Sequence, residues 1–355
     1  MAVRRVVAGD DPVLRFRGAV SLQYGPGWVA PWRVPHEEAE LHLPEGGIGR
    51  AAMPAGVRVT LRTDSRVIGC RYRADPAPRL NGPQELPRLD VVVDGRITDT
   101  VELRCDGEDA EFVVTGLPGR MVTVELWLPV YHQFRLRSLV VDPASALAYD
   151  DVERPRWVHY GSSISQGRGA RSPARAWPAL VAGRAGLDLT SIALGAACCL
   201  QPMSARLMRD LPAELLTACV GINVQALGSH SPAAFTSALV GFVATVRERH
   251  PTTPFALMST IVAPDRETVP GPSGLTIVEC RTRVREAVAL LRRHGDRNLH
   301  HVDGLDVFGP REAGAGLLLE PEGTDRLHPG PAGHPVFAER FLAALRRSLC
   351  VPVPA

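Results

Sequence analysis

The hydrophobic period of this chain changes once, between Asp142 and Pro155, and that change decides what the chain can fold into. Before it, apolar residues come in short alternating runs. Val57, Val59 and Leu61 share one strand face, and so do Ile68, Cys70 and Tyr72. Leu89 to Val93 is a denser run that ends at Asp94-Gly95, a type I′ hairpin signal. Glu111 to Val114, Val122 to Leu128 and Phe134 to Val141 continue the series, punctuated by Gly116-Leu117-Pro118-Gly119. Many short strands without a long helical period predict an all-β sandwich or jelly roll. The segment from Gly25 to Gly49 is rich in Pro and Gly and shows no period.

After the change, strands alternate with helices. Trp157 to Tyr160, Asp188 to Ala193, Leu215 to Val220, Phe255 to Ile261 and Leu299 to Val302 are strand-like. A helix is expected from about Pro173 to Gly186. Ser231-Pro232 is an N-cap with proline at the first helical position, followed by Phe235, Leu239, Phe242, Val243 and Val246 at helical spacing. Ile277, Cys280, Val284, Val288 and Leu291 form a second stripe, and Phe337, Phe341 and Leu345 a third. Such stripes are core faces of helices that cover a sheet. The pattern predicts a doubly wound parallel α/β sheet preceded by the sandwich. Expected domains are 1–145 and 146–355, and the acidic, proline-containing stretch 142–155 serves as the linker.

Composition narrows the chemistry. The net charge is +2, which suggests neither a nucleic-acid nor a membrane-surface partner. Lysine is absent, so all side-chain positive charge is arginine, and Schiff-base, phosphate-loop and lysine-base chemistry drop out together. The 7 cysteines show no CxxC pair and no zinc spacing with histidine, so no metal site is expected. They fit small buried hydrophobes in a reducing compartment. Met1 to Arg17 lacks an apolar signal core, and no apolar run reaches membrane-spanning length. A cytoplasmic protein is expected; its oligomeric state is not specified.

Chemistry gathers at the ends of the predicted strands. In Tyr160-Gly161-Ser162-Ser163, the strand breaks into a turn that exposes a serine hydroxyl at the sheet edge, where α/β enzymes bind ligands. Leu194-Gly195-Ala196-Ala197 follows the second strand, Gly221-Ile222-Asn223 the third, and Asp325-Arg326-Leu327-His328-Pro329 precedes the last helix. A serine needs a base to take its proton, and His328 is the candidate. Asp325, three residues earlier, is the candidate for orienting the imidazole. Backbone N–H groups after Ser163 and at Gly195 or Ala196, with the Asn223 amide, are the candidate oxyanion donors. Asp303 and Asp306 compete weakly with Asp325. His159 fits a core histidine, and His230, His300, His301 and His334 fit surface or capping positions. Trp127, Tyr131 and His132 fit sandwich packing better than a sugar-binding face. Residues 262–274, with three prolines, form a loop that is either solvated or a lid.

These four blocks resemble the SGNH (GDSL) hydrolase family, in order, over about residues 155–350. Gly161 to Ser165 is similar to the nucleophile block, Gly195-Ala196 to the oxyanion glycine block, Gly221-Ile222-Asn223 to the Gly-x-Asn block, and Asp325 to Pro329 to the Asp-x-x-His-Pro block. The resemblance implies a flavodoxin-like fold and a Ser163–His328–Asp325 triad, with no metal and no cofactor. Ser162 stands where the family usually has Asp, and Val224 where Asp is common. A β-sandwich ahead of such a domain is similar to carbohydrate esterases and to GDSL acyltransferases of tetracycline biosynthesis. The expected activity is that of a serine esterase hydrolysing a small carboxylic ester, of an acetylated sugar or a natural product, through an acyl-enzyme on Ser163. An acyltransferase using the same triad is the first alternative, and a non-catalytic carbohydrate-binding protein the second.

Overall fold

The computed structural model describes residues 3–8, 13–42, 49–75, 86–319 and 326–349. They form two compact units, Met1–Glu153 with Ser172–Ala174, and Arg154–Arg171 with Arg175–Ala355.

Among its described residues, the first unit is built of β-strands with two short 3₁₀ helices, His36–Leu41 and Arg50–Ala52. Its strands are β1 (Arg4–Val7), β2 (Arg15–Arg17), β3 (Ser21–Gly25), β4 (Trp28–Trp32), β5 (Arg58–Thr63) and β6 (Val67–Asp75). They continue as β7 (Arg88–Val93), β8 (Arg96–Glu102), β9 (Asp109–Thr115), β10 (Val122–Trp127), β11 (Gln133–Val141) and β12 (Leu147–Ala148). One antiparallel sheet has the order β3-β4-β11-β6-β9, with β1 beside β11; the other runs β12-β5-β10-β7-β8, with β2 beside β5. Leu61, Leu89, Val124, Ile68, Phe134 and Leu139, drawn from both sheets, are buried in one core. That is the alternation of a sandwich with two inner apolar faces. Asp94 and Gly95 sit at φ 47° and 78°, the left-handed pair a type I′ turn demands.

Sequence patterning missed β8, whose residues are mostly solvent-facing and carry no apolar alternation. The expected boundary at 145 falls just before β12, which pairs with β5, and the first unit extends to Glu153. Trp127, Tyr131 and His132 are buried; Arg58 lies 4.9 Å over the Trp127 ring, and the Trp127 indole N–H donates to Glu125. Ser172–Ala174 belongs to this unit through Asp90, a fully buried carboxylate that accepts the Ala174 N–H at 2.7 Å and the Thr100 hydroxyl.

The second unit is a parallel sheet of β13 (Arg156–Tyr160), β14 (Asp188–Ser191), β15 (Leu215–Cys219), β16 (Phe255–Met258) and β17 (Leu299–Val302). Its order is β14-β13-β15-β16-β17. The chain thus starts in the interior and steps to opposite sides of β13, which makes the crevice beyond its carboxyl end a topological switch point. The helices are α1 (Ser163–Gln166), α2 (Trp177–Ala185), α3 (Pro202–Asp210), α4 (Ile222–Leu227), α5 (Pro232–Arg247) and α6 (Ile277–Arg293). α7 (Gly304–Val307), α8 (Pro310–Gly314) and α9 (Gly333–Leu349) complete it. Helix α2 packs on α9, and α5 on α3 and α6, covering the sheet in two layers. Trp157, Trp177, Phe337 and Phe341 are fully buried, with Trp177 stacked on Phe337 at a centroid distance of 4.5 Å.

The helix expected over 173–186 is divided into a single 3₁₀ turn, Pro173–Arg175, and α2. Pro178 has no N–H to donate to the carbonyl of residue 174 and its ring would clash there, so a helix cannot run through this point; Pro178 fits the first turn of α2, and Ala176 is its extended N-cap at ψ 141°. No helix among the described residues is long and apolar enough to cross a membrane.

Candidate active site

Strand β13 delivers the nucleophile candidate. It ends at the buried Tyr160, and Gly161 carries the chain over the sheet edge; a Cβ there would strike Ser165 Oγ at 2.3 Å. Ser162 caps the one-turn helix α1, its hydroxyl accepting the Ile164 N–H. A serine can fill the place of the family's usual Asp because this cap needs only an oxygen acceptor. Ser163 is then the first residue of α1 and half-buried.

The structure places Ser163 Oγ 2.7 Å from His328 Nε2. With Ser163 donating, Nε2 accepts, and the ring is the neutral tautomer protonated on Nδ1. His328 is 4% exposed, and its backbone is fixed by the Leu319 N–H, which donates to its carbonyl at 2.8 Å. Asp325 lies outside the described residues. Asp303 Oδ1 accepts the Leu305 N–H as the N-cap of α7, and Asp306 lies on the first turn of that helix.

The loop 194–201 after β14 lies against Ser163. A Cβ on Gly195 would stand 3.2 Å from Ser163 Cβ, so only glycine allows this approach without displacing a neighbour. The Ala197 N–H donates to the Leu194 carbonyl, closing a turn with Gly195 and Ala196 at its centre. Ala196 sits at φ 56°, a left-handed conformation uncommon for a residue with a side chain and found preferentially at functional turns.

Side chains hold this loop from several directions. The Gly195 N–H donates to Gln166 Oε1 at 2.7 Å, and the Cys198 N–H to Asn223 Oδ1 at 3.0 Å. The Leu200 N–H donates to the Tyr160 hydroxyl, which donates in turn to Gln201 Oε1. Asn223 is in the first turn of α4, after Gly221 at φ 121°. Since Oδ1 takes the Cys198 N–H, Nδ2 is the face of the amide left to donate elsewhere.

Four of these residues carried no signal in the sequence. Gln166, Tyr160, Gln201 and Cys198 act through individual hydrogen bonds to the loop, and no motif marks them. His334 is a correction. Expected at the surface, it is fully buried, its Nδ1 accepting the Trp177 N–H at 3.1 Å and its Nε2–H donating to the Arg168 carbonyl at 3.0 Å. It thereby fastens the segment after α1 to the start of α9. Burial holds its pKa down at about 4, opposed by the Arg168 bond and assisted by His328. His159, in β13, is likewise buried and pushed down to about 3, its Nδ1 2.6 Å from Thr217 Oγ1. Both are neutral parts of the packing. In the 262–274 loop, Glu267 accepts the Ala263 N–H and pairs with Arg281, while Asp265 pairs with Arg326 at 3.2 Å.

A hydrogen-bonded serine–histidine pair at the switch point, beside a left-handed turn and an oriented amide, is an arrangement that acyl-transfer chemistry can use. Residues 159–336 match the profile of the GDSL-like Lipase/Acylhydrolase family, and residues 14–137 that of the SsfX3 N-terminal domain. No curated protein matches the chain. Among solved structures, a salicylyl-acyltransferase, SsfX3, from a tetracycline biosynthetic pathway is 45% identical, with 99% of each chain covered and a TM-score of 0.90. A putative GDSL-like lipase from Bacteroides ovatus is 20% identical over 98% of each chain, with a TM-score of 0.77. A family two carbohydrate esterase from Clostridium thermocellum, in complex with cellohexaose, is 14% identical, covering 94% of this chain and 98% of its own, with a TM-score of 0.66. The last two share the fold, whereas the first shares sequence along the whole chain, and the protein is an enzyme that belongs to the GDSL-like lipase/acylhydrolase family.

Proposed function

We propose that the enzyme is a serine acyltransferase, which takes an acyl group onto Ser163 Oγ and passes it to a hydroxyl of a small-molecule acceptor. The observation that carries the chemistry is the 2.7 Å contact between Ser163 Oγ and His328 Nε2. His328 removes the hydroxyl proton as Oγ attacks the acyl carbonyl, then gives that proton to the departing group. In the second half, His328 takes the proton of the acceptor hydroxyl, the new ester forms, and Ser163 Oγ recovers its proton. Asp325 is the proposed orienter of His328, on its place in the sequence three residues ahead. The tetrahedral oxyanion is assigned to the Ser163 N–H, the Asn223 Nδ2 and an N–H of the 195–196 turn. Of the two turn amides, Gly195's is donated to Gln166, while Ala196's has no hydrogen bond among the described residues, which supports Ala196.

Identity of 45% with the salicylyl-acyltransferase makes a salicylyl or related aryl group, and a tetracycline-type hydroxyl, the first substrates to try. Hydrolysis is the second reading, favoured by the partial exposure of Ser163, which gives water a route to the acyl carbon. Intact-mass measurement after mixing with an activated salicylyl ester tests the proposal. The expected result is an adduct of one acyl group on Ser163 that a hydroxyl acceptor discharges as a new ester. An adduct on another residue, or none with any acyl donor, rules it out.

A further inference from the structure

The contact between Gln166 and the 195–196 turn has a consequence for the chemistry. Gln166 is the last residue of α1, three positions after Ser163, and 2% exposed. Its Oε1 accepts the Gly195 N–H at 2.7 Å, and the room for that oxygen exists because residue 195 is glycine, whose missing Cβ would lie 3.2 Å away. Gly195 is itself buried. We infer that Gln166 is a positioning residue, a clamp that sets the orientation of the 195–196 turn so that the Ala196 N–H is held toward the reacting carbonyl. The inference rests on the acyl-enzyme reading above.

First, the turn runs through a left-handed alanine at φ 56°, a conformation that persists only where neighbouring contacts over-determine it. Second, a buried N–H must have a partner, and the loop main chain gives Gly195 none. Third, nucleophile and clamp lie on the same one-turn helix, so any movement of Ser163 carries the turn with it. Oxyanion donors contribute in proportion to how well they are placed before reaction. Gln166 touches no reacting atom in this scheme; it acts through Gly195.

The test replaces Gln166 by Met, which keeps length and apolar volume and removes the acceptor. Wild type and Gln166→Met are compared for kcat, KM, phosphonylation rate with a serine-directed phosphonate, and amide hydrogen exchange of the 194–200 segment. Expected is a kcat loss of about 10- to 100-fold, the cost of a small misplacement, with KM within about threefold. The phosphonylation rate should fall in parallel, and exchange at Gly195 should accelerate. An unchanged kcat, a rise in KM alone, or a gain in kcat each overturns the clamp. The last would mean that Gln166 occupies a donor the oxyanion needs. Should the variant fold poorly, wild-type exchange decides instead, since a clamped Gly195 N–H exchanges slowly and an unclamped one does not. Failure of wild type to take the phosphonate at Ser163 would strike the acyl-enzyme reading, while Gly195 exchange still reports on the clamp.

Discussion

The Cys198 N–H donates to Asn223 Oδ1 at 3.0 Å, and this bond fixes which end of the Asn223 amide is a donor. It separates two roles that an alanine scan would merge. Asn223→Asp keeps an acceptor for Cys198 and removes the Nδ2 donor, whereas Asn223→Ala removes both. If Asn223 serves the oxyanion, Asn223→Asp should lower kcat by about 10² to 10³ with little change in KM, the usual loss for one donor. Thermal stability should drop less in Asn223→Asp than in Asn223→Ala, which removes the acceptor of the Cys198 N–H. A rise in KM with kcat intact would assign Asn223 to ground-state binding.

If Ser163 and His328 act on one proton, as proposed, their losses should not multiply. Ser163→Ala and His328→Ala should each reduce kcat by several orders of magnitude, and the double variant should be little worse than either. Steady-state kinetics on an activated ester, with all three proteins shown to be folded by circular dichroism, reads this directly. Multiplied losses would mean that the 2.7 Å contact is not the catalytic one.

The buried histidines make stability depend on pH in a defined direction. His334 is held at about 4 by burial, and His159 at about 3, against an unfolded value of roughly 6.5. Above about pH 6.5 both are neutral in either state, and their contribution is fully present. As pH falls from there toward 4, unfolding takes up protons that the folded state refuses, so stability declines by about 1.4 kcal/mol per unit for each histidine. Burial shifts His132, His300 and His301 the same way. Denaturant titrations of wild type and His334→Asn between pH 7 and 5 should show a shallower slope in the variant, by about one proton near pH 5. Identical slopes would show that His334 is not the neutral bridge between Trp177 and Arg168.

Much of this architecture was legible because it rests on repetition. β17 matches its expected run from Leu299 to Val302, and the stripe from Ile277 to Leu291 lies on α6, because a core face recurs many times along an element. The Asp94-Gly95 hairpin was legible because its backbone conformation excludes most other residues. β8 was not, since its side chains mostly face solvent and need no apolar alternation. The candidate site divides similarly. Ser163, Asn223 and His328 stand in short blocks whose order carries information. Gln166, Tyr160 and Gln201 orient a loop through individual side-chain hydrogen bonds, which no spacing rule anticipates. His334 looked like a surface residue because a polar side chain near a helix start usually is one; here two backbone partners, Trp177 and Arg168, allow its burial.

The fate of the acyl group depends on what reaches the acyl carbon. A serine acyl-enzyme yields to water or to an alcohol by the same proton transfers, so the Ser163–His328 pair does not by itself choose. Water needs no binding site and is present at about 55 M, but an alcohol held in attack geometry gains an effective molarity of 10⁵ M or more. Transfer therefore requires that the acceptor be bound, and binding saturates. With an activated salicylyl ester as donor, rising concentrations of a tetracycline-type acceptor should accelerate release of the leaving group to a plateau and produce parallel lines in double-reciprocal plots, the ping-pong signature. The new ester should replace free salicylate in the products as the acceptor approaches saturation. Simple alcohols at the same concentration should leave hydrolysis dominant, because they bring reactivity without orientation. Asn223→Asp should slow both products equally, since either second step passes through the same oxyanion. If free acid stays the sole product across tetracycline-type, sugar and polyphenol acceptors, with no dependence of rate on any of them, the enzyme is an esterase and the transfer proposal fails.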